Sequence, residues 1–470
     1  MRTAALRLVL ACIPLACAHD DGGDDGGGSS SDGGSEGGSS TASTTASSTT
    51  AGTTATTTAG TTATTTATTD EGSSTAADSS SSDGSSSGGG TVCGDGVADG
   101  DEACDDGDTV DGNGCNNDCT PSLAVRWAAA WDGPAALLDT SSDVAFAPDG
   151  RVGISGRTTA AVGSDMFVVV YDELGTMLWQ QTLDGEGADE TQSNYDDARG
   201  LAFLSDGDVV VVGSDWGVMG TSVRVTRLDD TGAAVWTRRE DDTFYGGAVE
   251  VAVSADDELY VIGGAFGDAW MGHLSAAGAL LPSEFVPGLL WVAIAAVPGG
   301  GIEVGGMVGP DAAARYYDAD LTAGDTIEYA GPDTDVVFGV AVDGTGNLSV
   351  LLYQTDYVDE SWTLHRYAPD GTLAWSQPDP MAAGVAVYAL AAAPDQSVVV
   401  AGIDNTQDEP LRLRRFDAEG TPIGEGGFAP AAEGYVQIGG ITIDTDGTVA
   451  VSGGAFPMTG GDAWVTVLSP

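Results

Sequence analysis

The sequence predicts an all-β protein: a seven-bladed β-propeller closed by an N-terminal strand, preceded by a small disulfide-rich module and a disordered tether. Three observations predict it. Tight turns recur at Pro148-Asp149-Gly150, Ser205-Asp206-Gly207, Ala255-Asp256-Asp257, Pro298-Gly299-Gly300, Gly344-Thr345-Gly346, Pro394-Asp395-Gln396 and Thr445-Asp446-Gly447, 43 to 57 residues apart. That is the period of propeller blades. Each unit repeats an apolar strand, the turn, a Val/Ile/Gly-rich strand, a variable loop, a third strand and a Gly turn into a fourth. The last unit ends at Ser469-Pro470 without a fourth strand, and an orphan strand, Leu123–Trp131, precedes the first unit.

Residues 1–18 read as a signal peptide. Arg2 and Arg7 supply the positive start and Leu8 to Ala16 a short apolar run. Leu15-Ala16-Cys17 resembles a bacterial lipobox, with Pro14 departing from that pattern, and the resemblance implies lipidation at Cys17. The competing site, Ala16-Cys17-Ala18, would release a soluble protein. No later segment offers the ~18 uninterrupted apolar residues of a membrane span, so membrane contact is expected through a lipid anchor only.

Residues 19–91 are almost wholly Ser, Thr, Gly, Ala and Asp, with Thr-Thr-Ala repeats between Thr53 and Thr69. Such a segment buries no core and reads as a disordered linker. As a flexible coil it would span about 45–50 Å, a spacer between membrane and domain.

Residues 92–121 hold Cys93, Cys104, Cys115 and Cys119, and no Cys follows. Clustered even Cys behind an export signal imply two disulfides in an oxidising compartment; the three pairings stay open. Zinc is the rival use of four Cys, against the absence of C-x-x-C spacing. Asp95, Asp99, Asp101, Asp105, Asp106, Asp108, Asp111 and Asn113 alternate with Gly, the hard-oxygen-on-tight-turn chemistry of Ca²⁺. No segment completes an EF-hand loop, and solvated turn carboxylates are the competing explanation. The segments Cys93-Gly94-Asp95-Gly96, Gly100-Asp101-Glu102-Ala103-Cys104-Asp105-Asp106-Gly107 and Gly112-Asn113-Gly114-Cys115 with Cys119 resemble the myxobacterial disulfide-rich repeat. That family occurs in exported surface proteins without established enzymatic activity, so the resemblance implies location.

Residues 122–470 form the propeller. The second strands read RVGISG, DVVVVGS, ELYVIGG, GIEVGGM, NLSVLLY, SVVVAGI and TVAVSGG. Arg224, Arg227, Arg412 and Arg414 alternate along third strands and are expected on a wet face. The orphan strand should pair with Ala463 to Leu468 and close the ring, removing an exposed edge. An eight-bladed ring, an open solenoid and two sandwiches are the alternatives.

The chain carries 15 Lys+Arg, all of them Arg, against 71 Asp+Glu, a formal net charge of -56. Such a field repels nucleic acid and anionic lipid, and attracts divalent cations or a basic partner.

The G-x-x-x-W pieces ending in Trp179, Trp236 and Trp375 resemble repeats of quinoprotein-type propellers, which implies that each Trp docks one blade against the next. A quinone-dependent dehydrogenase of that kind uses a vicinal disulfide, and this propeller has no Cys. His273 and His365 occupy comparable third-strand positions and read as packed strand residues; no H-E-x-x-H or G-x-S-x-G motif joins them. No catalytic or cofactor residue stands out. The expected function is therefore non-catalytic binding by a monomer at the outer membrane or cell surface, or else after secretion. Its partner would be an extracellular protein, peptide or glycan, held by loops such as Arg157 to Asp165, Ser214 to Thr221 and Gln354 to Ser361 or by the central channel. The alternative is an extracellular enzyme (hydrolase, lyase or quinoprotein-like) with its site in that channel. Convergent acids, Arg or metal there would favour catalysis; an apolar plug with decorated loops would favour binding.

Overall fold

The computed structural model describes residues 93–98, 102–135, 137–160, 163–184, 196–217, 220–240, 247–265, 268–329, 334–355, 360–430, 434–456 and 460–470. The leader, the linker, Cys17, Asp99 and Asp101 lie outside these residues, as do parts of the three long loops named above. The described residues form seven four-stranded antiparallel sheets. Six sheets use consecutive strands in order; the seventh pairs its strands with Val125–Trp131 at the outer edge. Ala129 faces Val465 and Trp131 faces Ala463 across that ladder. The ring is therefore closed by the N-terminal strand, which covers the outer edge of Ala463–Leu468.

The core is not one mass but seven slabs, one at each junction between neighbouring blades. Val399, Leu413, Val451 and Trp464 fill the junction of blades 6 and 7; Ile154, Phe167, Val169 and Val465 fill that of blades 7 and 1. A middle strand thus buries both faces, which is why the second strands read as near-continuous Val and Ile. Val209 to Val212 are all fully buried.

The seven innermost strands are Asp139–Phe146, Asp197–Phe203, Gly247–Val253, Leu289–Ala296, Thr334–Val342, Ala386–Ala392 and Tyr435–Ile443. Each carries a register shift at one equivalent place, around Ser142, Arg199, Val249, Val292, Phe338, Tyr388 and Gly439. The second strands explain how the shift is accommodated. Six of the seven place a glycine beside it: Gly156, Gly213, Gly263, Gly306, Gly402 and Gly453, with Leu352 in blade 5. A Cβ at any of the six would fall 1.9 to 2.7 Å from a carbonyl oxygen of the innermost strand. The repeated glycine of the second-strand motif is thus a close-approach residue.

Blades are joined by tryptophan and arginine. The indoles of Trp127, Trp179, Trp236 and Trp375 lie against Gly175, Gly232, Gly278 and Gly420 of the following blade's outer turn. Trp127, Trp236 and Trp375 also donate their ring N–H to backbone carbonyls of Glu173, Ala276 and Ala418. The expected inter-blade role of Trp179, Trp236 and Trp375 holds. The wet-face expectation fails for Arg224 and Arg227. Arg224 is buried near Asp215 at 3.8 Å, and Arg227 bonds Asp206 and Asp208 at 2.6 and 2.7 Å. Three residues apart, they point to opposite faces of their strand, Arg224 to a buried acid and Arg227 to the acids of a turn, while Arg412 and Arg414 remain a quarter exposed.

The four cysteines form nested disulfides, Cys93–Cys119 and Cys104–Cys115. That leaves no thiolates for zinc. The module rests on the ring. The Arg415 guanidinium lies over Gly112, where a Cβ would sit 2.4 Å from Nη1. Leu123 is buried in the slab between blades 6 and 7. The Ser469 hydroxyl accepts from Ala124 N–H and donates to the Pro121 carbonyl.

Candidate functional site

The register shift turns one residue of every innermost strand toward the axis, and these residues surround a cavity of about 810 Å³. This lies within the ~300–1,000 Å³ of small-ligand sites. One residue further along, the seven strands present Asp143, Gly200, Glu250, Ala293, Gly339, Ala389 and Gly440. Five of those seven places hold Gly or Ala. The two larger residues are both acids, in blades 1 and 3.

Asp143 and Glu250 make the same contact. Each side chain leans onto the next blade, where Asp143 Oδ2 accepts the Leu201 N–H at 2.7 Å and Glu250 Oε2 accepts the Ile294 N–H at 3.1 Å. Asp143 Oδ1 also accepts the Val144 N–H at 2.7 Å. Neither carboxylate forms an ion pair among the described residues. Burial pushes Asp143 up to about 7, its N–H bonds offsetting only part of the cost. Burial also raises Glu250 well above the usual carboxylate range, and the charge of Asp143 adds to it.

The cavity wall is two-sided. Blades 1 to 3 bring Asp143, Arg157, Asp197, Arg199 and Glu250, with Arg199 bonded to Asp197 at 2.7 Å. Blades 5 to 7 bring Val336, Phe338, Tyr388, Leu390 and Tyr435. Phe338 is held edge-on to Trp362 at 5.4 Å. The channel is not an apolar plug: an apolar and aromatic wall faces a charged one, which carries the acids and Arg that the catalytic alternative expects.

The sequence-predicted residues lie elsewhere. In the module the described carboxylates serve the backbone. Asp105 accepts N–H bonds from Gly94, Asp95, Gly96 and Gly107, and these hold it below the usual range against the opposing effect of desolvation. Asp106 accepts from Cys115 and Asp108, Asp108 from Val110 and the Asn113 amide, and Asp111 from Asn117. Asp95 accepts from Val97. No three of these described carboxylates converge; the group that does is Asp165, Asp184 and Asp196 at the junction of blades 1 and 2, with oxygens within 4.8 Å of one another.

The two histidines are packed residues, as expected, but not at comparable positions. His273 pairs with Tyr260 and His365 with Val350, one step apart in the blade register, so they face opposite sides of their sheets. His273 stacks on Tyr260 at 4.4 Å and meets Glu258 at 3.1 Å. His365 stacks on Tyr329 at 5.3 Å, and burial lowers its pKa. Arg366, not His365, is the counterpart of His273.

No protein-family model matches the chain, and no curated protein matches it. Solved structures similar to it include the Dos1 propeller, at 12% identity and a TM-score of 0.48, covering 74% of this chain and 95% of that one. Another is Sqt1 of Chaetomium thermophilum bound to the N-terminus of ribosomal protein L10, at 14% identity and a TM-score of 0.45, covering 74% and 99%. A third is Drosophila Plexin A in complex with Semaphorin 1b, at 8% identity and a TM-score of 0.46, covering 74% and 88%. The likeness is one of fold alone and brings neither activity nor partner to this chain.

Proposed function

We propose that the chain is a non-catalytic binding protein of the cell surface, which presents its propeller on a flexible tether and takes a ligand into the central channel. The observation that carries this is the two-sided wall around the 810 Å³ cavity. An aromatic side supplies area and a charged side supplies orientation, the composition expected of a ligand pocket. The surface location is supported by the leader, by the linker of residues 19–91 and by the resemblance of residues 92–121 to the myxobacterial repeat. Lipidation at Cys17 supplies the anchor, and the partner is an extracellular protein, peptide or glycan. Ca²⁺ at the module is a further proposal: Asp95 and Asp111 each keep one oxygen outside the bonds above. An unchanged melting curve in EGTA would discard it.

The channel reading is tested by thermal-shift screening of peptides, amines and sugars against the full chain and against Val292→Trp, which fills the cavity from blade 4. A bound ligand stabilises in proportion to RT ln(1 + [L]/Kd). Hits that vanish in Val292→Trp support the channel; hits indifferent to it move the site to the loops. Catalysis in the same channel is the second reading, favoured by two acids with raised pKa values. Turnover of any hit, abolished by Glu250→Gln, would establish it over binding.

A further inference from the structure

The ring one step past the register shift is small everywhere except at Asp143 and Glu250. Gly200, between them, packs on the Glu250 backbone, where a Cβ would meet Cα at 2.9 Å. Asp143 reaches the neighbouring Leu201 N–H. The Asp143 carboxylate and the Glu250 backbone therefore flank the same segment of blade 2, the Glu250 carboxylate itself reaches on to blade 4, and Asp143 is close enough to raise Glu250 further. The nearby Arg199 is engaged by Asp197 at 2.7 Å. Arg157 stands opposite Thr140, three residues or about 10 Å along the strand from Asp143. Two carboxylates facing one cavity without an ion-pair partner are most easily satisfied by a cation arriving with the ligand.

We propose that the channel recognises an organic cation, an ammonium or guanidinium on an apolar stem, with the charge between Asp143 and Glu250 and the stem against Phe338 and Tyr388. This rests on the channel reading above and names the ligand chemistry for it. The aromatic side can add cation–π attraction. A metal ion fits less well: both Asp143 oxygens already accept N–H bonds, and hard cations need six or more oxygens. The cation can belong to a free amine or to an Arg or Lys side chain of a peptide; the recognition is the same. Because both acids are raised, a bound cation should expel protons from them, so affinity rises with pH.

Titration calorimetry of the full chain tests this with phenethylamine and a short Tyr-Arg peptide as cationic probes. The controls are 2-phenylethanol as neutral and phenylacetate as anionic counterpart. Saturable one-site binding of a cationic probe is expected near neutral pH, with a buffer-dependent heat that reports proton release. Glu250→Gln should weaken it at least about tenfold and Asp143→Asn similarly, with folding checked by melting. These variants each remove one charge from a net of -56, so diffuse attraction to the acidic surface stays the same. Binding of the peptide alone assigns the cation to a protein partner; binding of the amine alone assigns it to a small molecule. Absence of saturable binding by both cationic probes, or binding indifferent to both variants, overturns the proposal. If a neutral or anionic probe then binds and is lost in Val292→Trp, the channel reading survives and only the cation falls. If no probe depends on Val292, both fall.

Discussion

The indole of Trp127 lies directly on Gly175, so close that a Cβ there would stand 2.8 Å from Cδ2. Gly175 has φ of +82°, and Gly371 holds the equivalent turn of blade 5 at +78° with nothing within 4 Å of its Cβ position. The pair separates backbone strain from blade docking. Gly371→Ala should cost about 1 kcal/mol, for the left-handed backbone alone. Gly175→Ala should cost about 1–2 kcal/mol more, because it also displaces the indole. Urea melts of the two variants check this; equal losses would mean that the tryptophan yields freely.

The ring's closure gives a second expectation. The strand Val125–Trp131 supplies the only partner that Ala463–Leu468 has on its outer side in the described sheet. It also brings Trp131 into the slab between blades 7 and 1. Deleting residues 123–131 should expose that edge and lower the melting temperature by well over 10 °C, since several kcal/mol of burial are lost. A truncated chain melting like the parent would show that the other six junctions suffice.

Blade count and closure were legible because they depend on period and on alternation, and both survive in one sequence: turns every 43 to 57 residues and an orphan strand ahead of them. The channel acids were not legible as a pair, since 71 acids offer too many candidates. The signal exists in the innermost strands once they are aligned on the structure. Asp143-Val144-Ala145, Gly200-Leu201-Ala202, Glu250-Val251-Ala252 and Gly339-Val340-Ala341 form one column pattern, and only its first place varies in size and charge. Aligning on the hairpin turns alone leaves the register shift unseen. Arg224 and Arg227 misled for a related reason: a polar residue in a strand does not say that its face is wet, and these two meet acids where Arg412 and Arg414 stay a quarter exposed.

Arg366 and Asp343 form a buried pair across blade 5, each 2% exposed, and Arg366 also donates to the Gln396 carbonyl of blade 6. Burial would raise the Asp343 carboxyl, but hydrogen bonds from Asn347 and Thr345 outweigh it and hold the carboxyl below its ordinary value. Arg366→Ala should cost about 3–5 kcal/mol, because it strands the buried carboxylate. A lowered native pKa means stability that is present above the unfolded value near 4 and lost as pH falls through the native one. Acid denaturation should therefore be less steep in Asp343→Asn, as measured by melting between pH 5 and 2.

Attachment is tested at Cys17. With a lipid on this residue the chain should sediment with membranes, and Cys17→Ala should move it to the soluble fraction. A single uncleaved apolar run of Leu8 to Ala16 is too short to hold it. Fractionation with metabolic labelling by a fatty acid separates the cases: unlabelled protein that partitions as before would remove the anchor from the proposal.

The channel acids should make the protein less stable on the alkaline side. Asp172 and Asp229, which accept N–H bonds in turns, are held below their ordinary range and stabilise the fold once ionised. Asp143 and Glu250 are raised instead, so their contribution has the opposite sign. It is fully present below the unfolded pKa near 4, where both are neutral in either state, and is lost as pH climbs through the native values, about 7 for Asp143. Melting temperature should decline in the parent chain as pH rises from about 4 through 7, and level off once both acids are ionised in the native state. The decline should flatten in Glu250→Gln, which can still accept the Ile294 N–H and carries no charge to repel Asp143. It should flatten in the parent chain too when a saturating cationic ligand is present, because the ligand then supplies a countercharge to Asp143 and Glu250, which form no ion pair among the described residues. A decline identical in parent and variant would place the alkaline sensitivity elsewhere in the ring.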